Sequence, residues 1–270
     1  MCLKMAISLA ALKITFMALG TLMVATLIYT LSIDGLPFRN DLLTPWMKTT
    51  LLDFYINVTV LAIWVIYKES SWIAAILWVI LLVCLGSITT CTYIVVQLFK
   101  FSAEESTHDP MHHLLLHHQD NRKDVSWSFC QLVTAKIFFI ALGCLMLGTL
   151  LYTIIVYGSP FNKEVLTPWM VATLIDFYIN VSALSVWVSY KESSWFTAVI
   201  WKVLLICFGS IATCAYVARQ LFSLSPHDPM YLVLLNKRQR GPRRSATPYM
   251  PRISHEGQKA GMRPHQGEPS

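Results

Sequence analysis

The chain has 270 residues, of which 55% are hydrophobic and only 13% are charged, and its mean hydropathy is +0.54. A soluble domain of this composition would expose a large apolar surface, so the composition excludes a soluble globular protein. The formal net charge is +6, and a basic C-terminal tail is suited to anionic lipid headgroups, which are the partner we expect besides the bilayer itself.

Six hydrophobic runs follow each other along the chain, each about long enough to cross a hydrocarbon core of about 30 Å. They cover residues 8–33, 45–66, 72–98, 132–156, 168–188 and 195–221. Since backbone groups in lipid must be paired within a segment, and the runs lack the alternation of barrel strands, we predict α-helices. The first run is interpreted as a retained helix because its counterpart recurs in mid-chain. The predicted fold class is an all-α polytopic integral membrane protein with six transmembrane helices.

Residues 44–99 and 167–222 align without a gap, and 35 of the 56 aligned positions are identical. We interpret this match as a tandem duplication of a three-helix unit. The predicted domains are a first membrane repeat at 1–100, a polar His-rich linker at 101–128, a second membrane repeat at 129–235, and a disordered basic tail at 236–270.

Three crossings per repeat would turn the second repeat upside down, which is the inverted plan of many secondary transporters. Lys and Arg up to residue 240 then divide eight against eight between the two sides, and only the five basic residues from Arg243 onward favour cytosolic N- and C-termini. In the alternative, the second run of each repeat is re-entrant, and four crossings with parallel repeats result. The short spacing between Ile66 and Trp72 favours a tight turn between two crossing helices, and hence six crossings.

Polar residues interrupt the second run of each repeat, as Asp53 with Asn57 and as Asp176 with Asn180. Asp53 lies eight residues after Pro45, about 12 Å along a helix, where a carboxylate must be protonated or hydrogen-bonded. A polar stripe on the third run offers partners, namely Gly86, Thr90, Tyr93 and Gln97, and in the second repeat Gly209, Thr213, Tyr216 and Gln220. We expect Asp53 and Asn57 to bind Thr90 or Tyr93.

These residues define a candidate intramembrane polar site, which consists of Asp53, Asn57, Thr90, Tyr93, Asp176, Asn180, Thr213 and Tyr216. Hydrogen bonds that hold helices together are the favoured interpretation, in a membrane protein with a structural or interaction role. The alternative is a proton- or cation-linked transporter or channel for a small solute or ion, which uses Asp53 and Asp176 near mid-bilayer. No nucleophile with a base, metal ligand set or phosphate loop recurs in both repeats, so we expect no enzyme, catalytic residue or cofactor.

Other motifs are interpreted as structural. In "TPW", Thr44 and Thr167 are expected to cap helix starts. In "YKESSW", Lys68 should complement a helix end, and Ser70 or Ser71 should cap the next helix. The linker histidines, among them His113 and His117, are expected to lie in a solvated or membrane-surface loop rather than to bind a metal. With six spans, neither a soluble nuclear protein nor a nucleic-acid partner is expected.

The repeated residues "LTPWM", "DFYINV", "YKESSW", "GSI", "TC", "QLF" and "HDPM" resemble a plant membrane-protein family known as domain of unknown function 1475. The resemblance covers both copies, up to about residue 235. It implies an uncharacterised, multi-pass plant membrane protein and brings no activity, cofactor or catalytic residue with it. We separately expect the membrane to be an endomembrane or the plasma membrane.

Overall fold

The computed structural model describes residues 2–37, 39, 42–104, 129–159, 166–224 and 233, all within one compact unit, Met1–Arg240. Within these residues the chain forms seven α-helices and no β-strand. They are α1 Cys2–Asp34, α2 Pro45–Lys68, α3 Trp72–Leu85, α4 Ser87–Glu104, α5 Phe129–Tyr157, α6 Pro168–Lys191 and α7 Trp195–Phe222. Most of the predicted linker and the predicted tail lie outside the described residues.

Five helices, α1, α2, α5, α6 and α7, are long and apolar enough to cross a membrane. α3 is apolar but has only 14 residues. The all-α class is therefore confirmed, and the five apolar helices indicate a membrane-embedded protein, as the composition predicts.

Thr44 and Thr167 begin α2 and α6, as predicted. The N–H of Met47 donates to Thr44 Oγ1 at 3.2 Å, and the N–H of Met170 donates to Thr167 Oγ1 at 3.2 Å. The proline that follows each threonine needs no hydrogen bond at the first helical position. Ser71, one of the two serines predicted to cap α3, occupies its N-cap position, but its side chain makes no cap hydrogen bond.

The third hydrophobic run of the chain is not one straight helix. Gly86 separates α3 from α4 with φ +55° and ψ −126°. The rings of Trp78 in α3 and Tyr93 in α4 have centroids 5.0 Å apart, whereas 15 residues of continuous helix would separate them by about 22 Å. α3 and α4 therefore fold against each other, and we call residues 72–104 the first hairpin.

α7 reverses in the same way. Gly209 lies within it with φ +52° and ψ −125°, and Trp201 and Tyr216, on either side of the bend, have ring centroids 4.9 Å apart. Residues 195–222 form the second hairpin. The prediction of a straight crossing helix over 72–98 and over 195–221 is therefore wrong, because each run turns back at a glycine whose positive φ other residues rarely adopt.

α2 and α6 run in the same direction. Trp46 and Trp169, from their first turns, belong to one core cluster, and Val65 and Val188, from their last turns, belong to another. The predicted inverted arrangement is therefore wrong. Because each hairpin returns to the end at which it starts, both halves of the chain run through the bundle in the same orientation.

The bundle has two distinct ends. At the loop end, where α1 leads into α2 and α5 into α6, Trp169 Nε1 donates to the Gly35 carbonyl at 3.2 Å, and the Thr49 and Thr153 hydroxyls lie 2.8 Å apart. At the hairpin end, where α2 and α6 finish, both hairpins begin and return. α1 and α5 also start at the hairpin end, since Lys13 lies 4.5 Å from the centroid of the Phe99 ring, near the end of α4.

The helices of the two halves interleave. α2 packs against α5, α6 and α7, and α6 packs against α1, α2 and α4. The second helix of each half is thus surrounded largely by the other half, and this places its polar residues.

Candidate functional site

Asp53 and Asp176 make reciprocal hydrogen bonds between the two halves of the chain. Asp53 Oδ1 accepts from the backbone N–H of Ser210 at 2.7 Å, and Asp176 Oδ1 accepts from the backbone N–H of Ser87 at 2.7 Å. Ser87 and Ser210 are the first residues after the bends of the hairpins. Each aspartate therefore holds the tip of the hairpin that belongs to the other half.

The carboxylates meet helix starts, which explains how lipid-embedded acids are stabilised. The first N–H groups of a helix have no partner within that helix, and the N-terminus carries a partial positive charge. A carboxylate that accepts from such an N–H forms a charge-assisted hydrogen bond, about twice as strong as a neutral one. Asp176 lies eight residues after Pro168, about 12 Å along α6 from the loop end.

Glycine at each bend leaves room for the carboxylate. A Cβ added to Gly86 would overlap the Asp176 carboxylate, and one added to Gly209 would lie 2.5 Å from Asp53 Oδ2. Gly86 and Gly209 belong to the polar stripes noted in the sequence, but they form the turns rather than a helix face. Both their backbone angles and their missing side chains are needed for the contact.

The predicted partners of Asp53 are wrong. We expected Thr90 or Tyr93 from the same repeat, whereas the hydrogen-bond donor to Asp53 is Ser210 from the other one. The reason is the reversal of the hairpins, because a folded run presents its tip, and not its side, to the middle of the neighbouring helix.

The two asparagines differ in their contacts. Asn180 Oδ1 accepts from Thr90 Oγ1 at 2.8 Å, again between the halves. Asn57 is 0% exposed, and neither of its amide atoms has a hydrogen-bond partner among the described residues. Thr213, which occupies the position corresponding to Thr90, donates instead to the Gly209 carbonyl at 3.2 Å. The predicted hydrogen bond of Asn57 to Thr90 or Tyr93 is therefore wrong.

Tyr93 binds Glu69, which sequence reasoning did not select. The Tyr93 hydroxyl donates to Glu69 Oε1 at 2.9 Å, and Gln97 Nε2 donates to the same oxygen at 3.1 Å. Glu69 directly follows the last residue of α2, so it closes the base of the first hairpin. The interpretation of "YKESSW" as helix-end punctuation missed this contact.

Glu192 closes the second hairpin in the same way. The Tyr216 hydroxyl donates to Glu192 Oε1 at 3.1 Å, Gln220 Nε2 at 3.4 Å, and Arg219 Nη1 lies 3.6 Å from the same atom. A signal was present in the sequence, because the same Glu, Tyr and Gln recur in both halves with unchanged spacing. That spacing brings them together only if the run between them folds back.

The eight predicted site residues thus fall into separate groups. The aspartates hold the hairpin tips, Asn57, Asn180 and the two threonines lie about one helical turn further on, and the tyrosines lie near the hairpin bases. In the part of the chain that the structure describes, no three His, Cys, Asp or Glu side chains cluster to hold a metal ion. The linker histidines lie outside that part. The grouped contacts join helices and fix the hairpins.

Comparison with known proteins gives a family. No curated protein and no solved structure matches the chain. The plant origin that the sequence resemblance implies stays a prediction. A family model described as "Protein of unknown function (DUF1475)" matches residues 3–241, well over half of the chain, and the chain therefore belongs to that family.

Proposed function

We propose that the chain is a structural membrane protein, without enzymatic activity, in which two tandem copies of one unit each cross the bilayer twice and insert one re-entrant hairpin. The identity of 35 of 56 aligned positions supports the duplication. The four crossings are α1, α2, α5 and α6. The hairpins enter from the hairpin end and stop at Gly86 and Gly209.

The distribution of basic residues supports this topology independently. With four crossings, and again counted up to residue 240, only Arg39, Lys48 and Lys163 fall at the loop end, and the other 13 of these 16 Lys and Arg residues belong to the hairpin end and the segments connected to it. Basic residues accumulate on the cytosolic side of membrane proteins. We therefore propose that the hairpin end, both termini and the linker face the cytosol.

The sidedness of two inserted epitopes tests the topology. Four crossings put an epitope at Asn121 on the same side as the C-terminus and one at Lys163 on the opposite side. Six crossings would reverse both results. Antibody access in cells with a selectively permeabilised plasma membrane, or protease protection in microsomes, measures each side.

The reciprocal pairing of each aspartate with a hairpin tip carries the structural assignment. A group used for transport must be free to change its partners during a cycle, whereas these carboxylates complete helix starts in the opposite half. We expect Asp53→Asn, which keeps an acceptor, to lower the unfolding temperature modestly. Asp53→Ala leaves the Ser210 N–H without a partner and should lower the unfolding temperature further. The expected loss in the free energy of unfolding is about 1–3 kcal/mol.

Asp34→Asn is the matched control, because Asp34 pairs with Arg39 at 2.7 Å in an exposed ion pair at the end of α1, and such pairs contribute about 0–1 kcal/mol. Thermal unfolding of the purified variants gives the ranking. Equal stability of Asp53→Ala and Asp34→Asn would contradict the structural assignment.

A second candidate is a proton- or cation-linked carrier that uses Asp53 and Asp176. One observation favours it: both aspartates are partly exposed, although Asn57 and Asn180, one turn away, are 0% exposed. Flux across vesicles with reconstituted protein separates the two functions. A carrier loses pH-dependent flux in Asp53→Asn while its unfolding temperature stays unchanged; a structural protein gives no such flux in either form.

We further propose that anionic lipid headgroups are partners of the basic tail and that nucleic acids are not. The tail contains Arg243 and Arg244 with further basic residues downstream, and each such charge near an anionic surface contributes about 1 kcal/mol. Comparing the mobility of a tail label in vesicles with and without phosphatidylserine measures this attraction.

A further inference from the structure

We propose that the protein is a membrane wedge that favours bilayers curved so that the hairpin end lies on the convex face. The proposal deepens the structural function and rests on the four-crossing topology proposed above. The partner it names is a bilayer of a particular shape, recognised through the unequal cross-sections of the two ends of the bundle.

The hairpin end contains twice as many helical legs as the loop end. Four crossing helices, α1, α2, α5 and α6, run through both ends. The first hairpin adds α3 and α4, and the second adds the two legs of α7, so eight legs are present at the hairpin end. A helix with its side chains is about 10–12 Å wide, so each added leg occupies roughly 80–110 Å² of the membrane plane.

The depth of the hairpins fixes the level at which the cross-sectional area of the protein changes. The tip of the first hairpin contacts Asp176, and the tip of the second contacts Asp53. Each aspartate lies eight residues from the start of its helix, so the tips stop about 12 Å short of the loop end. Only four helices fill that last layer.

The loop end is closed by direct contact, and its four helices do not spread to occupy the area that the hairpins fill elsewhere. The Thr49 and Thr153 hydroxyls, 2.8 Å apart, join α2 to α5. The hydrogen bond from Trp169 to Gly35 joins α6 to the end of α1, and Trp46 is only 7% exposed among these helices.

The hairpin end is held open by the hairpins. The Lys13 ammonium lies over the Phe99 ring at 4.5 Å, which keeps α1 against α4, and Lys136 lies over the Phe222 ring at 5.0 Å, which keeps α5 against α7. Glu69 binds both Tyr93 and Gln97, so the legs of the first hairpin remain together. Side-chain contacts therefore maintain the difference in cross-sectional area between the two ends of the bundle.

Such a body fits a bent bilayer better than a flat one. In the convex leaflet each lipid has more area to cover, and the broad end of the protein fills that area. In the concave leaflet the lipids are compressed, and the narrow end takes less space there. In the reverse orientation the broad end lies in the compressed leaflet and the narrow end in the expanded one. The preference for curvature must therefore change sign when the molecule is inserted upside down.

Thin membrane tethers pulled from giant vesicles test the proposal with the intact chain. The full-length protein, labelled at its C-terminus, is reconstituted in both orientations, and an impermeant quencher distinguishes labels outside from labels inside. We expect a tether-to-vesicle density ratio above one for molecules whose hairpin end faces outward, and below one for those facing inward. The inward population is a matched control, because it has the same sequence, size and label.

Equal ratios in the two orientations, or the opposite order, would overturn the wedge. An epitope at Lys163, read on the same vesicles, separates this outcome from a wrong topology. If that epitope lies opposite the C-terminal label and the ratios are still equal, the wedge alone fails; if the two lie on one side, the four-crossing topology fails and the wedge with it.

Discussion

Gly86 and Gly209 set the position of a carboxylate as well as the direction of the chain. Their φ angles of +55° and +52° reverse the backbone, and the absence of a Cβ admits Asp176 and Asp53 to the N–H groups just beyond the bends. A methyl group at either position would act on both features at once, since it strains the turn and displaces the acid from the hairpin tip.

Gly209→Ala is expected to destabilise the protein by about 3 kcal/mol or more, because a strained backbone angle costs about 1–3 kcal/mol and the new Cβ would overlap Asp53. Thermal unfolding of the purified protein, followed by tryptophan fluorescence, measures the change.

Two glycines of the same chain are controls for this variant. Gly158 has φ +74°, but a Cβ added there would meet nothing within 4 Å, so Gly158→Ala carries strain without overlap and should cost about 1–3 kcal/mol. Gly148 lies within α5 with open space around it, and Gly148→Ala should be neutral or stabilise by up to about 1 kcal/mol. If Gly209→Ala lowers the free energy of unfolding no more than Gly158→Ala does, the overlap with Asp53 contributes nothing to stability.

Asn57 and Asn180 are expected to respond in opposite directions to the same substitution. Asn180→Leu removes the acceptor at 2.8 Å and leaves the Thr90 hydroxyl only the Gly86 carbonyl at 3.5 Å, so it should lower stability by about 0.5–1.5 kcal/mol, the net contribution of one hydrogen bond. Asn57→Leu removes an amide that has no partner among the described residues, and should be neutral or stabilising. The unfolding temperatures of the two variants give the comparison, and a larger loss for Asn57→Leu would contradict the contacts described.

Residue-level prediction from the sequence succeeded for the position of Asp53 along its helix and failed for its partner. The number of residues from Pro45 fixes the distance along the helix, because an α-helix has a constant rise. The partner of Asp53 lies in a different hydrophobic run of the chain. The length of that run does not indicate whether the run bends.

At the scale of helices, the hairpins depend on contacts at both ends. Asp176 holds the tip of the first hairpin, and Glu69 holds its base through Tyr93 and Gln97. The second hairpin has the corresponding contacts at Asp53 and Glu192. A re-entrant segment must satisfy its broken backbone within the protein, because lipid offers no hydrogen bonds.

The two ends of the first hairpin are expected to cross-link. Trp72 is 72% exposed at the start of α3, and Lys100 is exposed near the end of α4. In the double variant Trp72→Cys with Lys100→Cys, a short bis-maleimide should join the two thiols, since both lie at the hairpin end. A straight helix over the same residues would separate them by about 42 Å.

Mass spectrometry of the digested protein identifies the linked peptides. Leu36→Cys combined with Lys100→Cys is the control, since Leu36 is 70% exposed at the opposite, loop end of the bundle. A straight third helix is indicated if the Trp72 and Lys100 positions fail to link while both thiols accept single labels.

The composition of the hairpins does not distinguish them from straight membrane helices. The run 72–98 is apolar throughout most of its length and long enough to cross a bilayer, so the length criterion accepts it. The physical cue for a bend is a glycine in the middle of the run followed by a serine, and the same pair occurs in straight membrane helices, where small residues let helices approach.

For the whole molecule, interleaving predicts that neither half is stable by itself. Residues 1–123 alone would leave Asp53 without the Ser210 N–H and Ser87 without Asp176. Residues 124–270 alone would leave the Ser210 N–H without Asp53 and Asp176 without the Ser87 N–H. We expect each fragment to aggregate or be degraded when expressed singly, and the two to purify together when they are coexpressed.

Size-exclusion chromatography of the fragments measures this dependence. Asp53→Ala in the first fragment should reduce the yield of the complex, and Asp34→Asn should leave it unchanged. A fragment that is monodisperse by itself would contradict the interleaved arrangement.

The reciprocal aspartate contacts have a consequence for biosynthesis. Asp53 is translated 157 residues before the serine whose N–H it accepts. At about 5–20 residues per second, the acid must wait roughly 8–30 s in the membrane before its donor leaves the ribosome. During that interval the Ser210 N–H is not yet available, so the first half enters the membrane without the contact that later fixes Asp53.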